Sequence, residues 1–337
     1  MIGLLPINMQ LLTASLVQRI IHQTIEAIVN KSITSSARLA ASITRAASWQ
    51  TFFTICFLVD RGMVNDAFRA YAYFRWVDDW LDQEDRPLNE RLDFVKRQQA
   101  LIESCYLRER QDLAGLTPEE RLLADLVQTD HQKDSGLQAY IRNMMAIMAF
   151  DAERRGYGVS QREIYNYTHW LAVAVTEALH YFIGNGCGSP CGDLRYMAVT
   201  GAHITHMLRD ALEDVEAGYY NIPSECLDLS GGNPQLIQSQ VYRDWVRKSV
   251  QQARACFQAG REYLSQVENF RCRLAGYAYI YRFESVLDCI EREQFSLRKQ
   301  YSERKSLRGM LEMTGWALWM AFRYRRPSPS ASILHTR

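Results

Sequence analysis

The sequence predicts an all-α protein, and three observations carry that expectation. From about residue 37 onward apolar residues recur at helical spacing, while strand-like alternation bounded by hairpin turns is hard to find. Apolar residues make up 47% of the 337-residue chain, enough to build a substantial core. Breaks near Arg61–Gly62, Asp85–Pro87, Leu116–Pro118, Gly156–Ser160, Gly184–Asp193, Pro223–Pro234 and Glu268–Phe270 leave long helical stretches between them, as in a large bundle.

Residues 1–36 are expected to form an N-terminal extension with an amphipathic helix. Their start, MIGLLPINMQLLTASLVQ, is apolar but has no basic residue before Arg19 and no clear small-residue cleavage site, so it is not read as a secretory signal. Residues 37–325 are expected to be one catalytic domain. Near its end Trp316, Leu318, Trp319, Met320 and Phe322 run into Arg323, Arg325 and Arg326, a stripe that suits either a last core helix or peripheral membrane contact. Residues 326–337, rich in serine and proline, are expected to be a disordered tail.

No apolar run reaches the ~18 residues of a transmembrane helix, so the expected location is cytoplasmic, with membrane association only through that stripe. A formal charge of +1 argues against broad nucleic-acid binding, which needs a concentrated basic surface. Of the eight cysteines only Cys187 and Cys191 are close in sequence, and no second pair completes a zinc set, so free thiols are expected. No internal repeat, dinucleotide fingerprint or P-loop is found.

The strongest chemical signal is YAYFRWVDDWLDQED. On a helix, Asp78 and Asp82 are i and i+4 and project from one face, which Arg75 and Tyr71 share. A second copy lies in GAHITHMLRDALEDVEAGYYNIP, where Asp210 and Asp214 repeat the spacing beside Arg209, and His203 and His206 extend the stripe. One acidic pair is ordinarily a solvated helix face. Two pairs set among Val, Leu and Trp, each with an arginine, point to carboxylates that hold Mg²⁺ (Mn²⁺ as a substitute) between two helices. Diphosphate explains both acids and arginines, because the metal bridges its oxygens while arginines neutralise the departing group. The carbocation left behind needs a dry, electron-rich cavity, each aromatic face contributing about 0.5–2 kcal/mol.

These segments resemble the squalene and phytoene synthase family. SWQTFFTICFLV is similar to its N-terminal substrate segment, YAYFRWVDDWLD to its first aspartate motif, FDAERRGYGVSQREIYNYTHWLAVAVTEAL to the helix before the second motif, and HMLRDALEDVEAGYYNIP to that motif with its trailing loop. The resemblance implies an isoprenoid-synthase helical bundle around a central hydrophobic cavity. It also implies head-to-head condensation of two C15 or C20 prenyl diphosphates through a cyclopropyl intermediate. By position Asp78, Asp82, Asp210 and Asp214 match metal-binding aspartates, Arg75 and Arg209 match diphosphate-binding arginines, Tyr71 and Tyr167 match cavity tyrosines, and Phe52 matches an aromatic near the first substrate.

Departures from the family pattern accompany the match. His203 and His206 stand where the family has glutamine and a metal-binding asparagine, so His206 is assigned to metal and His203 to substrate. Gln50 replaces a lysine. In AVAVTEAL, which brings Ala172 to the cavity wall, Val173 and Thr176 replace glycines and should narrow the tunnel. Asn221 and Phe283 fall where tyrosines are usual, with Tyr219, Tyr220, Tyr279 and Tyr281 nearby. A single-substrate terpene cyclase on the same scaffold is the alternative these changes favour. A non-catalytic assembly role is disfavoured by retention of all four aspartates and both arginines. A reductive, squalene-type last step would take NADPH; the lack of a Rossmann fingerprint does not decide this.

Overall fold

The structure, a computed structural model, describes residues 35–83, 86–107, 115–184, 186–224, 240–301 and 307–323. The tail, and all but the last two residues of the expected N-terminal extension, lie outside them.

The described residues form eleven α-helices. These are α1 (Ser35–Ala47), α2 (Trp49–Leu58), α3 (Val64–Leu81), α4 (Leu88–Tyr106), α5 (Pro118–Gln128), α6 (Gly136–Arg154), α7 (Gln161–Phe182), α8 (Met197–Glu216), α9 (Gln240–Leu264), α10 (Phe270–Arg292) and α11 (Leu307–Ala321). Each expected break separates two helices. Three further breaks carry no Gly–Pro signal. Ser48 caps α2 by accepting from the Thr51 N–H at 3.2 Å. Residues 129–135 turn through Asp134 at φ +54° before Ser135 caps α6. Gln294 and Phe295, at φ +53° and +62°, end α10. Side-chain caps and left-handed non-glycine residues stop these helices, and both are weaker sequence signals than glycine or proline.

Packing follows the apolar stripes. α6 lies along α7, α8 along α9, and α1 across α3. The α8–α9 contact depends on small residues, since a Cβ on Gly260 would stand 2.8 Å from the Ala198 Cα and one on Gly201 3.0 Å from the Ala253 carbonyl. Tyr73 is fully buried on α3 and donates to Gln98 on α4 at 3.0 Å; Tyr140 on α6 donates to the Ala70 carbonyl at 3.1 Å. Burial of such large side chains, about 1.5–3 kcal/mol each, is what holds the helices in register.

Two short strands, β1 (Gly158–Val159) and β2 (Tyr220–Pro223), pair in parallel, a feature the sequence reading did not contain. They tie the end of α6 to the end of α8, and the Gly156 N–H reinforces the link by donating to the Gly218 carbonyl at 2.8 Å. Gly218, at φ +84°, closes α8 in a Schellman arrangement: its N–H donates to Val215 and the Tyr219 N–H donates to Asp214 at 2.7 Å. That reversal sends Tyr219 and Asn221 back over the acidic face of α8.

The stripe on α11 is divided. Ala317 and Ala321 are fully buried and Trp316 packs against Tyr277 and Tyr281, whereas Trp319 and Phe322 are 56% and 75% exposed. Among the described residues no helix is long and apolar enough to cross a membrane.

Candidate active site

Asp78 and Asp82 occupy the end of α3, Asp151 the last turn of α6, and Asp210 and Asp214 the last two turns of α8. All five line one cleft of about 160 Å³. Each helix therefore delivers its carboxylates near its C-terminus, where the macrodipole already carries partial negative charge. The three ends would repel one another unless cations or protons intervene.

The side chains register that excess. Burial pushes the Asp78 carboxyl up to about 7, with the charge of Asp82 adding to it and Arg75 opposing. Asp214 is pushed up to about 6, again by burial first, with Asn221 opposing and Asp210 adding. Burial would raise Asp210 too, but hydrogen bonds from Arg209 and His206 outweigh it and hold Asp210 well below the ordinary carboxylate range. The His206 Nε2 lies 2.8 Å from Asp210.

Four polar residues that the sequence reading gave no role also line the cleft: Asp151, Arg154, Tyr219 and Asn221. Arg154 donates to Asp151 at 2.6 Å and to the Asn221 Oδ1 at 2.7 Å, and Asn221 in turn donates to Asp214 at 2.7 Å. Tyr167 donates to the other oxygen of Asp151 at 3.0 Å. A continuous chain thus runs Tyr167–Asp151–Arg154–Asn221–Asp214. The Tyr219 hydroxyl donates to Asp82 at 3.3 Å, so the hydroxyl absent at Asn221 is supplied two residues earlier. FDAERRGYG held a usable signal, because Asp151 and Arg154 are i and i+3 at a helix end.

The structure brings Asp78, Asp82, Tyr167, His203, His206, Asp210 and Asp214 together around this cleft. The remaining sequence candidates are not among the residues that line it. Arg75 ion-pairs with Asp78 and Asp79, and Arg209 with Asp210, so both arginines are engaged by carboxylates in this state. Tyr71 sits one turn before Arg75 and is half-buried against Thr51 and Ser48. Phe52 is buried among Trp49, Phe53 and Phe68. Ala172 and Thr176 are buried on α7, the Thr176 hydroxyl having no partner. Phe283 on α10 is buried, its ring 6.4 Å from that of His206. Of the nearby tyrosines, Tyr279 packs 5.0 Å from Phe283 and feels the charges of Arg282 and Arg209, while Tyr281 turns toward Trp316.

The donor set suits a divalent cation of the Mg²⁺ type. It is oxygen-rich, and the raised carboxylates are those a cation would return to the charged form. Among the described residues no group of three or more His, Cys, Asp or Glu side chains forms a ready-made coordination shell.

The description of the family model that matches residues 44–310 is squalene/phytoene synthase. The chain belongs to that family. Among solved structures, squalene synthase HpnC from Alicyclobacillus acidocaldarius superimposes with a TM-score of 0.60 at 18% identity, covering 79% of this chain and 98% of that one. A dehydrosqualene synthase in complex with ligand gives 0.66 at 13% identity, covering 86% and 97%. TcSQS with the ligand E5700 gives 0.59 at 15%, covering 88% and 94%. At these identities the structural likeness establishes the shared helical isoprenoid-synthase fold. A search of curated proteins gave no match. Family membership makes the chain a relative of prenyl-transferring synthases.

Proposed function

We propose that residues 37–325 form a Mg²⁺-dependent prenyltransferase that condenses two C15 or C20 prenyl diphosphates head-to-head, through a cyclopropyl intermediate, to a C30 or C40 hydrocarbon. The observation that carries this reading is the convergence of two acidic pairs, from α3 and α8, in one cleft that Leu81, Met148, Tyr167 and Met207 also line.

Asp78, Asp82, Asp210 and Asp214, with His206, would hold the metal, which when bound supplies Lewis-acid neutralisation of a departing diphosphate. Arg75 and Arg209 stand beside these carboxylates and exchange them for phosphate oxygens as the anion enters. The chain from Tyr167 through Arg154 to Asn221 fixes Asp214 in place, so that ionisation requires little reorganisation. Tyr167 lines the cleft with its hydroxyl committed to Asp151, and its ring already packs against the Arg154 guanidinium at 5.0 Å and His203 at 5.1 Å. Phe52, Tyr71, Ala172, Thr176 and Phe283 would shape the room for the hydrocarbon tails.

A single-substrate cyclase of the same fold is the second reading. It is favoured by Ala172 and Thr176, both almost completely buried in the interior where an open tunnel would need space. Incubation with Mg²⁺ and separate C10, C15 and C20 diphosphates, with and without NADPH, decides between them. A product with twice the substrate's carbon count supports condensation, and one with the substrate's own count supports the cyclase. Its hydrogen content shows whether NADPH is consumed. Peripheral membrane contact through Leu318 and Trp319 on α11 and Phe322 just after it is part of the same proposal, supported by the exposure of all three.

A further inference from the structure

His203 stands deeper on α8 than the acidic residues. It lines the same cleft as Asp214, Asp210 and His206 and is the most buried of the four, 6% exposed, whereas the His206 side chain one turn away is half-exposed. Both ring nitrogens of His203 lack a hydrogen-bond partner. Its ring lies 5.1 Å from that of Tyr167, tilted by 33°. A buried imidazole with neither nitrogen engaged is costly unless a ligand or a reaction uses it.

We propose that His203 is the base that ends the reaction by removing a proton from the final carbocation, so that the chain makes a polyene by proton loss with no need for hydride. This rests on the prenyltransferase reading above and names its outcome. A C–H bond beside the cationic carbon breaks, its electron pair becomes the new C=C bond, and the proton goes to the unprotonated ring nitrogen of His203. The imidazolium then passes that proton to an oxygen of the released diphosphate, and charge and atoms balance.

Three features fit the role. His203 lines the same cleft as the carboxylates that would hold the metal and its diphosphate, so a substrate seated there would bring its allylic carbons toward His203 and Tyr167. Tyr167 cannot serve as readily, since its hydroxyl is spent on Asp151 and burial raises it well above the usual tyrosine range. Burial, with His206 and Arg154 adding to it, lowers His203 to about 3, which keeps it unprotonated at rest. A C–H bond beside a carbocation is so acidic that a weak base suffices, and a weak base gives the proton up readily to diphosphate.

The test compares wild type, His203→Gln and His203→Ala with Mg²⁺ and C15 or C20 diphosphate, reading hydrocarbon and alcohol products per diphosphate released. Overall rate is free to fall in the variants; the partition of products is the readout. The expected result is a polyene-to-alcohol ratio at least tenfold lower in both variants, as water captures the cation, with imidazole added to His203→Ala restoring polyene. An unchanged ratio in both variants overturns the assignment, as does a wild-type coupled product that appears only with NADPH. Wild-type enzyme that releases diphosphate but yields no coupled hydrocarbon defeats the condensation reading itself, whereas a coupled polyene with an unchanged variant ratio defeats only His203. Should His203→Ala fail to fold, His203→Gln carries the comparison, since an amide fills a similar volume without a basic nitrogen.

Discussion

At the scale of single residues, acidity governs the site. Asp78 and Asp214 are ordinary carboxyls in the unfolded chain, near 3.8, and are pushed up to about 7 and about 6 when folded. The folded state therefore binds more protons, so their contribution to stability is present below pH 4 and is lost as pH rises through 6 and 7. Metal-free protein should show a melting temperature that falls between pH 5 and 8. Mg²⁺ should cancel the fall, and Asp78→Asn should flatten it; a flat metal-free profile in the wild type would count against the strained-cleft description. Asp78→Ala or Asp210→Ala should lower diphosphate release by more than 100-fold with circular dichroism unchanged, and retained turnover would remove the two-motif mechanism. Asn221 acts through Asp214, which it holds by a 2.7 Å hydrogen bond. Asn221→Ala should raise the Mg²⁺ concentration for half-maximal diphosphate release by about tenfold, the usual penalty for losing a partner of a metal ligand.

At the scale of elements, three helix ends and one close helix pair do most of the positioning. α3, α6 and α8 aim their C-termini at one cleft, and the β1–β2 pairing locks two of those ends together. α8 keeps its angle because Gly201 and Gly260 let α9 approach closely. Gly260→Ile should drive the two helices apart and destabilise the protein by about 1–3 kcal/mol or more in denaturant titrations, because overpacking a tight contact forces backbone shifts. The start of α7 offers a milder test. Ser160 and Glu163 form a reciprocal capping box there, and Ser160→Ala should cost about 1 kcal/mol. Since α7 carries Tyr167, a larger loss of activity than of stability would show that cap and site are coupled.

At the scale of the whole molecule, the helices gather polar and apolar side chains around one cleft, while Trp319 on α11 and Phe322 just after it remain exposed. Anionic lipid vesicles should sediment the wild-type chain, and Trp319→Ala with Phe322→Ala should reduce the bound fraction severalfold at unchanged melting temperature. Equal sedimentation would return those side chains to scattered surface hydrophobics.

Much of this was legible in the sequence. Periodicity identified the helices, punctuation located most of their ends, and the i, i+4 aspartate pairs marked the candidate cleft, because these are local properties that a helix expresses wherever it packs. The chain that joins Tyr167 to Asp214 was not legible. Asp151, Arg154 and Asn221 come from separate elements, and only the packing of α6 against the end of α8 gives them common purpose. The same holds for His203: spacing placed it on the stripe with His206, but depth in the fold made one half-exposed against Asp210 and the other buried without a partner. The sequence by itself determined the helical class, the acidic motifs and the family. Tertiary structure alone decided which of those groups share a cleft and how strongly they are perturbed, because burial and electrostatic proximity are properties of packed elements and not of chain order.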